Sequence, residues 1–450
     1  MWKPALEAGR PIYRAITDAI ARDVESGVLA AGDRLPPQRD LAKLLSINLS
    51  SVSKAYKLAF DLGIVNGETG RGTFIRDGDP ARIPWPSGEN NVNIDYASNF
   101  PMPVDLRSDV MRLCNDMARY DTGQRLLDYA PSGASGDDLT AAVFWLALLG
   151  VTVRPENVLI TSGAINGVFA CLLGLAKAGE TVLCEDLTSP GLISCARMMG
   201  LRLVGVPMDR EGLKVDAFER IARETGARIA VLNPTLHNPT LTVLSAGRRE
   251  KLAAFIRSTG MIIVEDEVYA PLLERLPVPL AAIAPAQVCY VTSFSKAMLP
   301  GLRIGYLAAP PALADRLRNA IRVSTWMPSP VLASLASRWV RDGTAVQLID
   351  NRRNAGRERV RIACRILRVH KVIAADEALH VWLMLPPPWR ADEFAIYLNN
   401  RGISVMPSQD LAATSAGSVQ AVRLSLGAEP NKARFEQGLL RIDRILRGRE

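Results

Sequence analysis

A chain of 450 residues is too long for one ordinary domain and predicts two or three. Hydrophobic residues at 48% and charged residues at 22% exclude a disordered or low-complexity chain, and the longest apolar stretch, 143–151, is too short to span a bilayer. The net charge of +8 is compatible with a nucleic-acid partner but does not demand one, since the excess is not gathered at the N-terminus.

The first residues, Met1-Trp-Lys-Pro-Ala-Leu-Glu, lack the apolar core of a signal peptide. A cytoplasmic protein with no membrane partner is expected. Cys114, Cys171, Cys184, Cys195, Cys289 and Cys364 never form Cys-x-x-Cys and read as buried, reduced thiols. Three histidines leave a metal little to bind, so no metal site is expected. His370 and His380 read as structural. Arg441, Arg444, Arg447 and Arg449 read as a solvated helix face.

In chain order, Ile12, Ile16, Ile20 and Val24 recur at helical spacing, and Gly27 ends that helix. Asp33-Arg-Leu-Pro-Pro-Gln-Arg-Asp-Leu-Ala opens a second helix behind two prolines. Ser46-Ile-Asn48 makes a turn, with Asn48 able to cap a third helix. That helix buries Val52, Ala55, Tyr56, Ala59 and Leu62 and shows Ser50, Ser51, Ser53, Lys54 and Lys57 on its other face. A glycine-punctuated hairpin, Gly67-Glu-Thr-Gly-Arg-Gly-Thr-Phe-Ile, follows. This is the plan of a winged helix-turn-helix, whose third helix enters the major groove of DNA; a packing module of three helices is the plainer alternative.

Gly32-Asp-Arg-Leu-Pro-Pro-Gln-Arg-Asp-Leu-Ala and Gly70-Arg-Gly-Thr-Phe resemble the signature of GntR-type DNA-binding domains. The resemblance implies double-stranded DNA as a partner, with Arg39, Asn48, Ser50, Ser51, Lys54 and Arg71 as contact candidates. Family members often carry arginines where this chain has Leu49 and Ser53. Arginine reads guanine through two hydrogen bonds, so direct base readout is expected to be weaker, or shifted to Lys54 and Lys57.

The head therefore spans 1–76. Residues 77–93, rich in Pro, Gly, Asp and Asn, read as a linker, and 94–450 as the body. Short β-branched runs at 158–161, 181–184, 203–206, 229–232, 261–264, 288–292 and 304–308 alternate with helical stretches such as 244–258. The pattern predicts an α/β domain with buried, mainly parallel strands.

Four segments at strand ends carry chemistry. Lys296, in Ser293-Phe-Ser295-Lys-Ala, lies in a small-residue loop where desolvation lowers an amine's pKa, and nearby serines and Arg303 suit a phosphate. Alone, it would be one solvated lysine among many. Glu265-Asp266-Glu267-Val-Tyr269 offers a carboxylate, or merely a helix cap. Asn233-Pro-Thr-Leu-His-Asn238-Pro-Thr is a proline turn or a hydrogen-bond donor loop. Thr161-Ser162-Gly163-Ala164 joins a strand to a helix start, a common turn that also suits phosphate.

Together, in this order, the four resemble the fold-type I aminotransferases, across nearly all of the chain after the linker. The resemblance implies a fold-type I body with a mainly parallel seven-stranded sheet (about 120–325) and a smaller α+β C-terminal subdomain (about 326–450). It implies pyridoxal 5'-phosphate in an internal aldimine on Lys296, Asp266 on the pyridinium nitrogen, and Asn238 and Tyr269 on the phenolic oxygen. Phosphate contacts are implied for Ser162, Gly163, Ala164, Ser293, Ser295 and Arg303. Arg423 matches the arginine that grips a substrate α-carboxylate, and Tyr129 a tyrosine lent to the partner subunit in a homodimer. Two departures stand out: Ser189 replaces a ring-stacking aromatic residue, and Leu241 a usual glycine.

A GntR-type head on an aminotransferase-like body resembles the MocR subfamily of bacterial regulators. That implies a regulator sensing an amino acid or amine through an aldimine at Lys296. The alternative is an active aminotransferase, converting amino acid to 2-oxo acid, with an appended head. A cofactor-free structural body gives the polar set no rationale.

Overall fold

The computed structural model describes residues 2–6, 10–62, 64–68, 72–75, 94–120, 126, 128–129, 135–414 and 419–449. The predicted linker at 77–93 and the contact candidate Arg71 lie outside them. The chain divides into two compact units, Met1–Arg82 and Ile83–Glu450.

In the first unit, helices Ile12–Glu25, Gln38–Leu45 and Leu49–Asp61 precede an antiparallel pair, Val65–Glu68 with Gly72–Ile75, in which Val65 faces Ile75. Pro36 and Pro37 stand before the second helix, and Ser46 closes it in the left-handed region at φ 55°. Ile16, Ile20, Leu41, Val52, Ala55 and Tyr56 form the core, and the Tyr56 hydroxyl donates to the Pro36 carbonyl at 2.7 Å. Three sequence expectations need correction. Asn48 holds the N-cap position, but its side chain makes no capping bond. Leu58 is buried where Leu62 was expected and is only half-buried. Ile12 is 44% exposed, because a spacing of four drifts about 40° per step around a helix.

In the second unit, all seven predicted strand runs enter one sheet. Its order is Val158–Thr161, Gly305–Ala308, Val288–Ser293, Ile262–Asp266, Ile229–Leu232, Thr181–Glu185, Arg202–Val206. Gly305–Ala308 runs antiparallel to both neighbours, and the other pairings are parallel. Such strands are buried on both faces, which explains their unbroken apolar runs. Parallel strands also end together, so Glu185, Asn233, Asp266 and Ser293 emerge at one edge, where open α/β sheets bind ligands.

A second, antiparallel sheet orders Val372–Ile373, His380–Met384, Ala421–Ser425 and Met406–Pro407. Helices Thr344–Ile366, Ala391–Asn399 and Lys432–Leu446 accompany it. Cys171, Cys184, Cys195 and Cys289 are buried free thiols, and Cys364 is half-buried. Among the described residues, no helix is long and apolar enough to cross a membrane.

Candidate active site

Lys296 sits on the short helix Phe294–Ala297, directly after the strand Val288–Ser293. Burial, and then the charges of Arg423 and Arg303, push its ammonium down to about 8, with Asp266 opposing. Its Nζ donates to the Asn99 carbonyl. Asp266 ends the neighbouring strand, and burial pushes its carboxyl up to about 6 against the pull of the Val268 N–H and Lys296.

The flanking acids go elsewhere. Strand alternation sends Glu265 and Glu267 to the face opposite Asp266. There the buried Arg249 Nη1 lies 3.3 Å from Glu265 and 3.6 Å from Glu267. Thr235 Oγ1 donates to Glu267 at 2.7 Å, and the Leu280 and Ala281 N–H groups bind Glu265 at 2.8 and 2.9 Å. These two acids belong to the scaffold, and Asp266 alone is left for chemistry.

Asn233 is the hub of the proline loop. Its Nδ2 donates to the Asp266 carbonyl at 2.6 Å, its Oδ1 accepts the Asn238 N–H at 2.9 Å, and its own N–H binds Glu185 at 2.8 Å. Burial pushes Glu185 up to about 8. His237 bridges Thr240 Oγ1 at 2.8 Å and the Leu187 carbonyl at 3.0 Å, and His380 meets the Pro239 carbonyl at 3.0 Å. Burial keeps both imidazoles neutral, His237 at about 3 and His380 well below its ordinary value. Both thus clamp the loop around Asn238.

Arg423, in the strand Ala421–Ser425, is 3% exposed. Its Nη1 donates to Asn238 Oδ1 at 2.9 Å and its Nη2 to the Ala97 carbonyl at 2.5 Å. Among the described residues, its buried Nε has no partner. Burial lowers its pKa, opposed by Tyr269 and Asp95. A guanidinium bonded to two neutral oxygens, with its Nε–H unspent, suits an incoming carboxylate.

Beside Arg303, Gly163 precedes the helix Ala164–Leu175 at φ 90°, and a Cβ there would lie 2.7 Å from Arg303 Nη2. Arg303 binds Ser295 Oγ at 3.1 Å and the Ser162 carbonyl at 3.1 Å. The Ser293 hydroxyl accepts the Ser295 N–H at 3.1 Å, which leaves its own hydrogen for another acceptor. The Ser162 N–H is taken by Asn166 Oδ1 at 3.0 Å. Tyr129 stands apart, 77% exposed and edge-on to Trp326 at 6.1 Å between ring centres. Ser189 caps the helix Pro190–Met198, accepting the Leu192 N–H at 3.3 Å.

The sequence reading missed Asn99. Its Nδ2 donates to the Tyr269 hydroxyl at 2.8 Å, its carbonyl takes Lys296, and its buried Oδ1 has no partner among the described residues. Burial pushes Tyr269 up to about 12. Nothing in the Ala97-Ser-Asn99 sequence signals this role, because the partners lie far along the chain. Asn233 was part of a recognised motif, but its bonds become apparent only in three dimensions.

The model of aminotransferases of class I and II matches residues 129–442. The chain belongs to that family. The model of bacterial regulatory proteins of the GntR family matches residues 12–75. The HTH-type transcriptional regulator YdeF of Bacillus subtilis is 27% identical over 99% of this chain and 96% of its own. The vitamin B6 salvage pathway transcriptional repressor PtsJ of Salmonella typhimurium is 28% identical, covering 85% of this chain and 87% of its own. Among solved structures, LysN, an alpha-aminoadipate aminotransferase from Thermus thermophilus, superposes with a TM-score of 0.72 at 22% identity. That match covers 86% of this chain and 97% of LysN, and it concerns the fold.

The chain is thus a GntR-type regulator fused to an aminotransferase-like body of fold-type I, consistent with the MocR subfamily. The head makes DNA a partner. Pyridoxal 5'-phosphate is the cofactor of this family, and the body's residues fit it. A phosphate cradle that a Cβ at Gly163 would fill, an amine with a lowered pKa, and a buried carboxylate end on the same edge of the sheet.

Proposed function

We propose that the body senses an amino acid or amine at a pyridoxal-phosphate site centred on Lys296, and that its state sets how the heads of a homodimer engage a DNA operator. One observation carries the reading: a depressed amine, Lys296, and a buried guanidinium with no carboxylate partner among the described residues, Arg423, donate to one short segment, 97–99, in a chain that begins with a GntR-type head. In this reading 1–76 is the DNA-binding unit, 77–93 the linker and 94–450 the sensor, with a large part at about 120–325 and a small one at about 326–450. The protein works in the cytoplasm, on the nucleoid when bound to DNA.

When bound, the cofactor supplies an aldehyde for an amine and a ring that draws electrons from the attached carbon. Lys296 presents that amine. Asp266, as a carboxylate, holds a proton on the ring nitrogen, and Asn238 and Tyr269 attend the phenolic oxygen. Gly163 and Ala164, with Ser162, Ser293, Ser295 and Arg303, hold the phosphate, and Tyr129 reaches the partner subunit's phosphate. Arg423 orients the effector by its carboxylate. On the head, exposed Arg39, Asn48, Ser50 and Lys54, with half-buried Ser51, meet the operator, joined by Arg71.

The test is the visible absorption spectrum after adding pyridoxal phosphate to the wild type and to Lys296→Ala. A cofactor–lysine band in the wild type, absent in the variant, supports the reading. No band at saturating cofactor would sink it. A second reading, transamination, is favoured by the intact set of Lys296, Asp266, Asn238, Tyr269, Arg303 and Arg423. Sustained turnover of an amino acid with an oxo acid would establish it, and a single half-turnover would leave the body a sensor.

A further inference from the structure

We infer that Asn99 is a positioning residue for Lys296 and Tyr269, and that its segment, 95–99, is the tie through which the state of Lys296 reaches the rest of the chain. This deepens the regulatory reading above and rests on it.

The segment follows the predicted linker in sequence and begins as a strand, Ile94–Asp95, paired in parallel with Ile403–Ser404. Asp95 Oδ1 then folds it into a turn, accepting the Ala97 N–H at 2.7 Å, the Ser98 N–H at 3.1 Å and the Ser404 hydroxyl at 2.8 Å. Tyr96 is fully buried, and its hydroxyl donates to the Phe435 carbonyl on the helix Lys432–Leu446. Beyond Asn99 the backbone passes so close to Gly427 that a Cβ there would run into the Phe100 carbonyl. Both ends are therefore fastened to elements of the small antiparallel sheet's neighbourhood.

The middle of the segment reaches the site at three points. Asn99 takes Lys296 on its carbonyl and gives Nδ2 to Tyr269, both at the edge of the seven-stranded sheet. Ala97 takes Arg423 on its carbonyl at 2.5 Å. Each bond depends on what the site holds. When the neutral Lys296 amine condenses with an aldehyde, a C=N bond forms, and both amine hydrogens leave with the aldehyde oxygen as water. The nitrogen then carries one N–H at most where the ammonium carried three, and its planar C=N bond fixes the direction of that N–H, so the donation to the Asn99 carbonyl is weakened or lost. A carboxylate on Arg423 competes with the Ala97 carbonyl for the same guanidinium. Two separate binding events thus act on one short piece of backbone that leads, in sequence, to the head.

Hydrogen exchange followed by mass spectrometry on the full chain, with pyridoxal phosphate as the probe, tests this. The amides of 97–99 should exchange at least about threefold faster with the cofactor than without it. Lys296→Met should show the faster exchange without cofactor, and Lys296→Arg, which keeps a cationic donor but cannot condense, the slow exchange with it. A cofactor–lysine band in the wild type with unchanged exchange at 97–99 would overturn the inference and leave the regulatory reading standing. No band at all would overturn that reading and the inference with it. If Lys296→Met does not fold, Asn99→Leu serves. It should speed exchange at 97–99 without cofactor and move the pH midpoint of the cofactor band by about half a unit or more, with Asn99→Gln recovering part of the shift. A midpoint and exchange rate both equal to wild type in Asn99→Leu would refute the positioning role.

Discussion

At Gly163 a side chain has nowhere to go. The backbone is at φ 90°, and a Cβ would press on the Arg303 guanidinium. Gly163→Ala should introduce about 1–3 kcal/mol of strain. Expressed in binding, that weakens pyridoxal phosphate by about fivefold to about 150-fold in an absorbance titration. An unchanged affinity would mean that the phosphate is held elsewhere. Lys296 gives a second prediction. Only its neutral amine is a nucleophile, and burial sets its pKa at about 8 in place of 10.5. The rate of band formation should therefore climb with pH to a midpoint near 8 and then level off. A rate still rising toward 10.5 would describe a solvated lysine. Lys296, Asp266, Asn238 and Ser162 were legible as candidates, because each lies at or just after a strand end in a short recognisable string. Asn99 was not. It acts partly through a backbone carbonyl on a lysine 197 positions away, and no local pattern records that.

Among elements, the seven strands were readable from their β-branched runs because both faces are buried, so no alternation was needed to find them. Gly305 has a purpose that its sequence does not announce. It lies where the antiparallel strand Gly305–Ala308 squeezes between two neighbours, and a Cβ would come within 2.6 Å of the Thr292 carbonyl and 2.8 Å of Thr161 Oγ1. Gly305→Ala should destabilise the body by about 1–3 kcal/mol through overpacking, seen as a lower melting temperature in calorimetry. A melting curve matching wild type would show that the strands can part freely. In the head, the third helix was placed correctly but its inner edge was not. The missed step, Leu58 for Leu62, lies in the last turn, where helix ends are least determined by pattern.

For the whole molecule, the head and the body imply measurable charges in different places. Lys54 is exposed on the helix Leu49–Asp61. Lys54→Ala should weaken DNA binding similarly across sequences and reduce the slope of log affinity against log salt by about one. A changed sequence preference with an unchanged slope would make Lys54 a base reader. The exposed Tyr129 bears on assembly. If it serves the partner subunit, Tyr129→Ala should lower cofactor affinity while sedimentation still shows a two-chain species. A cofactor affinity equal to wild type would remove that residue from the site.

The acids around Asp266 also bear on how the chain finds its shape. Three carboxylates in succession, Glu265, Asp266 and Glu267, could be threaded into the sheet in two ways that differ by one step. A slip of that step would exchange the faces, turning two acids toward the cofactor edge and only one toward Arg249. It would also strand a fully buried guanidinium short of its anions. Arg249 therefore favours one register of strand pairing: its two anions are both met only in the threading that leaves a single acid on the other face.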